Sequence, residues 1–250
     1  MKKIAAIAAC LVSSIIASPG QANFIVNGDF ESGNTGFTSD YTFKATYSPP
    51  DLDEGQYQIT TNATLSHQAW TNPGPQGSGT SFFVANASSN TALSPWMQTV
   101  SISPGAVTVS DSQNPVYYRF QAYISSLYAA SPPQLSFEMS LNNSGNWQTL
   151  ATSLAPTSTG TWEITYRDGY FGSEPTSISF RLRNANGDLG GNDLGIDSIY
   201  FGLSNEAPDK AGNPINSAGE ITGVPEPASI FLLLAAAAWF ACSRRRPKAA

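Results

Sequence analysis

The sequence predicts an all-β domain, an antiparallel β-sandwich, on three observations. Apolar residues recur at every second position in run after run. Turn-forming residues punctuate those runs, and no long stretch keeps a helical repeat.

The clearest run is 116–124, where Val116, Tyr118, Phe120, Ala122 and Ile124 share one face and Tyr117, Arg119, Gln121 and Tyr123 the other. Leu135, Phe137, Met139 and Leu141 alternate with Ser136, Glu138 and Ser140. Ile178, Phe180 and Leu182 alternate with Ser179, Arg181 and Arg183. Trp162, Ile164 and Tyr166 alternate with Glu163, Thr165 and Arg167, which predicts Ile164 and Tyr166 on the buried side. Further strands are expected at 24–26, 57–60, 81–87, 97–102, 147–150 and 196–201, with Trp96, Trp147 and Trp162 in the core. Asn27-Gly28, Ser48-Pro49-Pro50, Asn72-Pro73-Gly74, Ser131-Pro132-Pro133, Asn142 to Gly145 and Asn186-Gly187-Asp188 supply the turns. About ten short strands so spaced point to a jelly roll.

The sandwich is expected to span 23–203, between two segments of different character. Met1-Lys2-Lys3, an apolar run from Ile4 to Ala17, and small residues at Gly20 and Ala22 predict a secretory signal peptide over 1–22. Ile7-Ala8-Ala9-Cys10 imitates a lipoprotein box, but cleavage there would leave too short an apolar core. Residues 204–223 lose the alternation and read as a linker. Then come Val224-Pro225-Glu226-Pro227, an apolar segment 228–242, and Arg244, Arg245, Arg246 and Lys248. At 1.5 Å per residue that segment makes a helix of about 22 Å, shorter than the roughly 30 Å hydrocarbon core. The basic cluster places the tail's end in the cytoplasm.

This ending resembles the PEP-CTERM sorting signal of Gram-negative bacteria. The resemblance implies an inner-membrane-anchored precursor held by its C-terminal helix. An exosortase-type enzyme would then cut near Pro225-Glu226-Pro227 and pass the protein to the cell surface or extracellular matrix. The alternative is a plain C-terminal anchor.

Between the two ends, residues 23–223 hold six basic and seventeen acidic residues, a net charge near −11, and no cysteine, since Cys10 and Cys242 lie outside. Disulfides are excluded from the domain, and nucleic acid is a poor partner for so acidic a surface. The lone histidine, His67, cannot build a zinc site without cysteines. No Gly-x-Ser-x-Gly elbow marks a nucleophile. Asp51, Asp53 and Glu54 read as a solvated loop rather than a tuned carboxylate pair.

The domain opens with Asn27-Gly28-Asp29-Phe30-Glu31 and closes with Ile196-Asp197-Ser198-Ile199. This bracketing resembles the galactose-binding-domain-like jelly rolls, a group rich in carbohydrate-binding modules. The resemblance implies that the two motifs lie side by side and hold one structural calcium ion. Glu31 and Asp197 become candidate ligands, with Asp29 and Asp193 as lesser ones. Ser198 stands where the group's pattern has a second Asp, which removes a charge. For an extracellular polysaccharide, Tyr117, Arg119, Gln121 and Tyr123 form a candidate platform, with Trp70 as a rim aromatic. The expected function is a non-catalytic, carbohydrate-binding surface protein. A structural or adhesive protein without a glycan ligand is the alternative, and a divergent carbohydrate-active hydrolase the weaker one.

Overall fold

The computed structural model describes residues 23–45, 51–105, 115–154 and 156–204. The expected signal peptide, the linker from 205 onward and the whole sorting tail, with Val224, Pro225, Glu226, Pro227, Arg244, Arg245 and Arg246, lie outside the described residues.

Ten strands form: β1 (Thr42–Phe43), β2 (Gln56–Thr60), β3 (Phe82–Asn86), β4 (Met97–Ser101), β5 (Val116–Ser126), β6 (Leu135–Leu141), β7 (Gln148–Leu154), β8 (Glu163–Phe171), β9 (Ser177–Asn184) and β10 (Leu194–Ser204). They make a six-stranded sheet, β1-β2-β3-β10-β5-β8, and a four-stranded sheet, β4-β9-β6-β7. From β3 onward the chain changes sheet at every connection except β6 to β7, which is the winding of a jelly roll. All strand pairs are antiparallel except the short β1–β2 pair, which is parallel.

The core lies between the sheets. Val116, Tyr118, Phe120, Ala122 and Ile124 of β5 meet Phe137 and Met139 of β6 and Ile178, Phe180 and Leu182 of β9 there, as their alternation predicts. Residues 24–26 form no strand. They run beside β10 instead, where the Phe24 N–H donates to the Phe201 carbonyl at 2.8 Å. Gln98 of β4 ties this segment down by bonding both the N–H and the carbonyl of Val26.

β8 corrects the expected facing. Its register sets Ile164 opposite Tyr123, Tyr166 opposite Gln121 and Tyr170 opposite Tyr117. Opposed residues share a face, so Ile164, Tyr166, Asp168 and Tyr170 point away from the core. Thr165 and Phe171 are buried instead, while Ile164, Tyr166 and Tyr170 are 44%, 64% and 68% exposed. The run carries large apolar groups on one side and Thr and Arg on the other. Periodicity alone therefore favoured the wrong face, and pairing with β5 decided it.

Two tryptophans also differ from expectation. Trp147 is half-buried and lies beneath the Arg181 guanidinium, 4.0 Å from the ring centroid, while Arg181 also pairs with Glu138. Trp162 leaves the main core for a second apolar cluster on the outer face of the six-stranded sheet. Leu52, Ala63, Trp70, Phe82, Val84 and Leu127 form that cluster.

Candidate ligand face and acidic group

The outer face of the six-stranded sheet continues from this cluster across β10, β5 and β8. Three cross-strand rows are set by register: Tyr200–Gln121–Tyr166, Gly202–Arg119–Asp168 and Ser204–Tyr117–Tyr170. Tyr117, Arg119, Gln121 and Tyr123 do share the face away from the core. They do not form an open platform, because Arg119, Gln121 and Tyr123 are buried.

Arg119 is held by a bidentate pair with Asp168, with Nε and Nη2 each 2.7 Å from a carboxylate oxygen. That fork fixes the guanidinium plane and neutralises its charge. Tyr200 lies flat along the sheet over Gly202, where an added Cβ would come within 2.1 Å of its hydroxyl. Tyr117 meets Tyr170 edge to face at 6.4 Å. In the middle sits Gln121, 0% exposed, with neither its amide nitrogen nor its amide oxygen hydrogen-bonded. A buried primary amide without partners costs about 1–3 kcal/mol and is ordinarily paired. The amide is closed off from solvent, so a ligand reaches its donor and acceptor only when the side chains over it move aside.

Trp70 is no rim aromatic. It is 3% exposed, stacks on His67 at 5.1 Å and belongs to the second cluster. The sequence offered no way to tell a loop tryptophan that closes a sheet from one that greets a ligand. Tyr166, Tyr170 and Tyr200 escaped sequence reasoning. Tyr166 was expected on the core side of its strand, Tyr170 lies beyond the alternating run that defined that strand, and Tyr200 follows a register shift in β10 that no alternation discloses.

The opening and closing motifs lie side by side, as the family resemblance implied. The Ile199 N–H donates to the Gly28 carbonyl, and Phe201 N–H to Asn23 Oδ1. Glu31 Oε1 accepts from the Thr80 and Ser81 N–H groups, and Oε2 from the Thr80 hydroxyl. Burial raises the Glu31 pKa, but these bonds more than offset it and leave it below the ordinary value. Gly79 is needed here because a Cβ would sit 2.9 Å from Glu31 Oε1. Asp197 accepts from the Gln76 and Ser198 N–H groups. Burial pushes its pKa up to about 7 against those bonds, and the Asp29 and Glu31 charges push the same way. Backbone strain marks the spot, with Asn27, Phe30 and Ser198 at φ of 54°, 58° and 49°.

Crowded carboxylates on strained backbone suit a hard, oxygen-seeking cation in kind and in charge. Among the described residues no three acidic, histidine or cysteine groups converge into a ready cage. Asp193 stands apart from this group. It lies against Trp70 and the Ala87 N–H, where burial raises its pKa to about 6 and those two neighbours oppose the rise.

No family model matches this chain. No curated protein matches it either. Among solved structures it is similar to the CBM22-1 xylan-binding domain of Paenibacillus barcinonensis Xyn10C, at 11% identity and a TM-score of 0.45, covering 75% of this chain and 97% of that one. It is also similar to TmCBM61 in complex with β-1,4-galactotriose, at 16% identity and a TM-score of 0.43, covering 72% and 97%. The enzymatically active domain of bacteriophage CBA120 tailspike protein 4 matches at 13% identity and a TM-score of 0.45. There the match covers 72% of this chain but 21% of the tailspike chain. None of these likenesses assigns a ligand to this chain.

Proposed function

We propose that this chain is an exported, non-catalytic surface protein whose sandwich binds a neutral polysaccharide on the outer face of β10, β5 and β8. The observation that carries the reading is the Gln121 amide, buried without a partner, with Tyr200 and Tyr166 opposite it in its row and Tyr123 next to it on the same face of β5. A planar amide can donate to one hydroxyl of a vicinal diol and accept from the next. Tyrosine faces suit the apolar C–H side of a pyranose ring. The ligand is neutral because Arg119 is already neutralised by Asp168 and residues 23–223 carry a net charge near −11, which repels polyanions.

Affinity electrophoresis of residues 22–222 through gels loaded with single polysaccharides tests the reading. Retardation by a neutral polymer, lost in Gln121→Met and in Tyr166→Ala, is the expected result. Equal mobility in every neutral polymer overturns it, as does retardation that both variants keep.

The ends of the sequence supply the rest of the proposal. The segment 1–22 exports the chain. The Val224-Pro225-Glu226-Pro227 motif with its apolar segment and Arg244–Arg246 presents it to an exosortase-type enzyme at the inner membrane for release to the surface.

Glu31, Asp29 and Asp197 would hold one structural calcium ion, which supplies positive charge between the opening motif and β10. Calcium bound only by the folded state raises stability by about 2.7 kcal/mol at a hundredfold excess over its dissociation constant. Thermal unfolding in calcium and in chelator should show that rise, and Glu31→Gln or Asp197→Asn should remove it. Identical midpoints in the two buffers would discard the metal.

A further inference from the structure

Strand β8 ends the six-stranded sheet, with β5 as its one sheet partner among the described residues. Its nine residues contain neither proline nor lysine, the usual guards of an edge. Every second N–H and carbonyl along such an edge points outward, a template for another strand. Arg167 is exposed and makes no ion pair among the described residues. Glu163 uses Oε1 to accept from the N–H and hydroxyl of Thr157, while Oε2 has no partner among the described residues.

We propose that β8 pairs antiparallel with β8 of a second copy about a two-fold axis at Thr165, joining two six-stranded sheets edge to edge. The occupant follows from parity and charge. If the outer faces are to run on continuously, opposed residues must both be odd or both be even. Centring the pair on Thr165 sets Glu163 opposite Arg167 twice over and Ile164 opposite Tyr166. Centring it on Arg167 brings two guanidinium groups face to face, and centring it on Tyr166 sets Ile164 against Asp168. Like charges directly opposed destabilise a strand pair and unlike charges support it. The register centred on Thr165 alone opposes Glu163 to Arg167, the two charges of β8 outside the Arg119–Asp168 pair, and Arg167 disfavours the register centred on itself. The shared ladder is short, so the dimer is weak and forms at high local concentration. Its consequence for glycan binding, that Tyr166 and Tyr170 of both copies lie on one continuous face, rests on the function proposed above. The pairing itself does not.

Sedimentation equilibrium of residues 22–222, carried into the millimolar range, tests the pairing. The native sequence is expected to dimerise with rising concentration. Glu163→Arg and Arg167→Glu should each return it to monomer, and the two combined should restore the dimer, since the charges are exchanged. Ile164→Lys, at an exposed position, should also give a monomer and covers the case in which a charge variant fails to fold. A native protein monomeric throughout overturns the proposal. So do single variants that dimerise like the native protein, or a charge-exchanged variant that does not recover. Affinity electrophoresis of the folded Glu163→Arg and Arg167→Glu variants separates the two readings: both positions lie on the side of β8 opposite Tyr166, so glycan retardation persists if the Gln121 face binds, whatever the oligomeric state.

Discussion

The outer face of the six-stranded sheet has two halves built on the same alternation and used in opposite ways. Over β2 and β3 the residues facing outward are Phe82 and Val84 of β3 with Gln58 and Thr60 of β2 opposite them, and the segment containing Ala63 and Trp70 comes down on this face. Trp162 packs edge-on against Phe82 at 5.6 Å and donates its indole N–H to the Gly74 carbonyl at 2.7 Å. Over β5 and β8 the outward residues are tyrosines, an internally neutralised Arg–Asp pair and an amide with no partner. The first half is a small apolar core, in which the Trp162 indole is hydrogen-bonded and the Trp70 indole nitrogen is buried without a hydrogen-bond partner. The second leaves a polar group unmatched and two tyrosine rings mostly in solvent. On the function proposed above, one sheet separates stability from recognition along its width, and substitutions in the two halves should fail in different assays.

The largest effect belongs to the closed half. Trp70→Ala removes a buried indole from the second cluster and should cost about 3–5 kcal/mol in a denaturant melt. Below its new midpoint, glycan retardation should be unchanged. A loss under about 1 kcal/mol would mean that the segment over β2 and β3 is a loose cover and that the two halves are less distinct than drawn.

The next effect sharpens the same contrast through pH. Asp193 lies against Trp70, and burial lifts its folded pKa from 3.8 to about 6. The folded state therefore holds this proton more tightly than the unfolded chain does. The resulting stabilisation is complete below about pH 4 and is lost as pH rises through about 6, a difference on the order of 2–3 kcal/mol. Melts across that window should show the decline, and Asp193→Asn should flatten part of it. A profile that Asp193→Asn leaves unaltered would place the titrating group elsewhere.

Much of the sandwich was legible because β5, β6 and β9 carry period-two alternation with unambiguous sizes on each side. Phe120, Phe137 and Phe180 could face only inward. The side-by-side placement of the opening and closing segments was legible from the resemblance, and Glu31 lies near enough to Asp197 for its charge to raise that group's pKa. What failed was whatever depends on a partner strand or loop. β8 carries most of its apolar bulk on the outward side, so its facing is settled by pairing with β5 and not by periodicity. Trp70 sits in a segment without periodicity, where burial depends on what lies beneath. Asp193 lies just before β10 and Asp197 within it, and the strand carries them to different neighbours.

In the open half, Gln121→Met should raise stability by about 1 kcal/mol, because it removes an unpaired buried amide while roughly keeping its volume. The same change should abolish glycan retardation. Gain of stability with loss of binding is the signature of a group retained for a ligand. If Gln121→Met instead destabilises, the amide has a partner in the free protein and the site loses its central feature.

Tyr166→Ala should have the smallest effect on stability, within about 0.5 kcal/mol, since its ring is mostly in solvent and its strand lies at the sheet edge. Tyr170→Ala should behave alike in the melt. The two need not match in binding. Tyr166 stands in the Gln121 row, whereas Tyr170 stands four residues further along β8, opposite Tyr117. A short oligosaccharide that fills the Gln121 row should lose affinity with Tyr166→Ala and ignore Tyr170→Ala. A long polymer should feel both. If the short and long ligands respond identically, the ring over Tyr117 lies outside the binding track, and the open half narrows to the single row that Gln121 anchors.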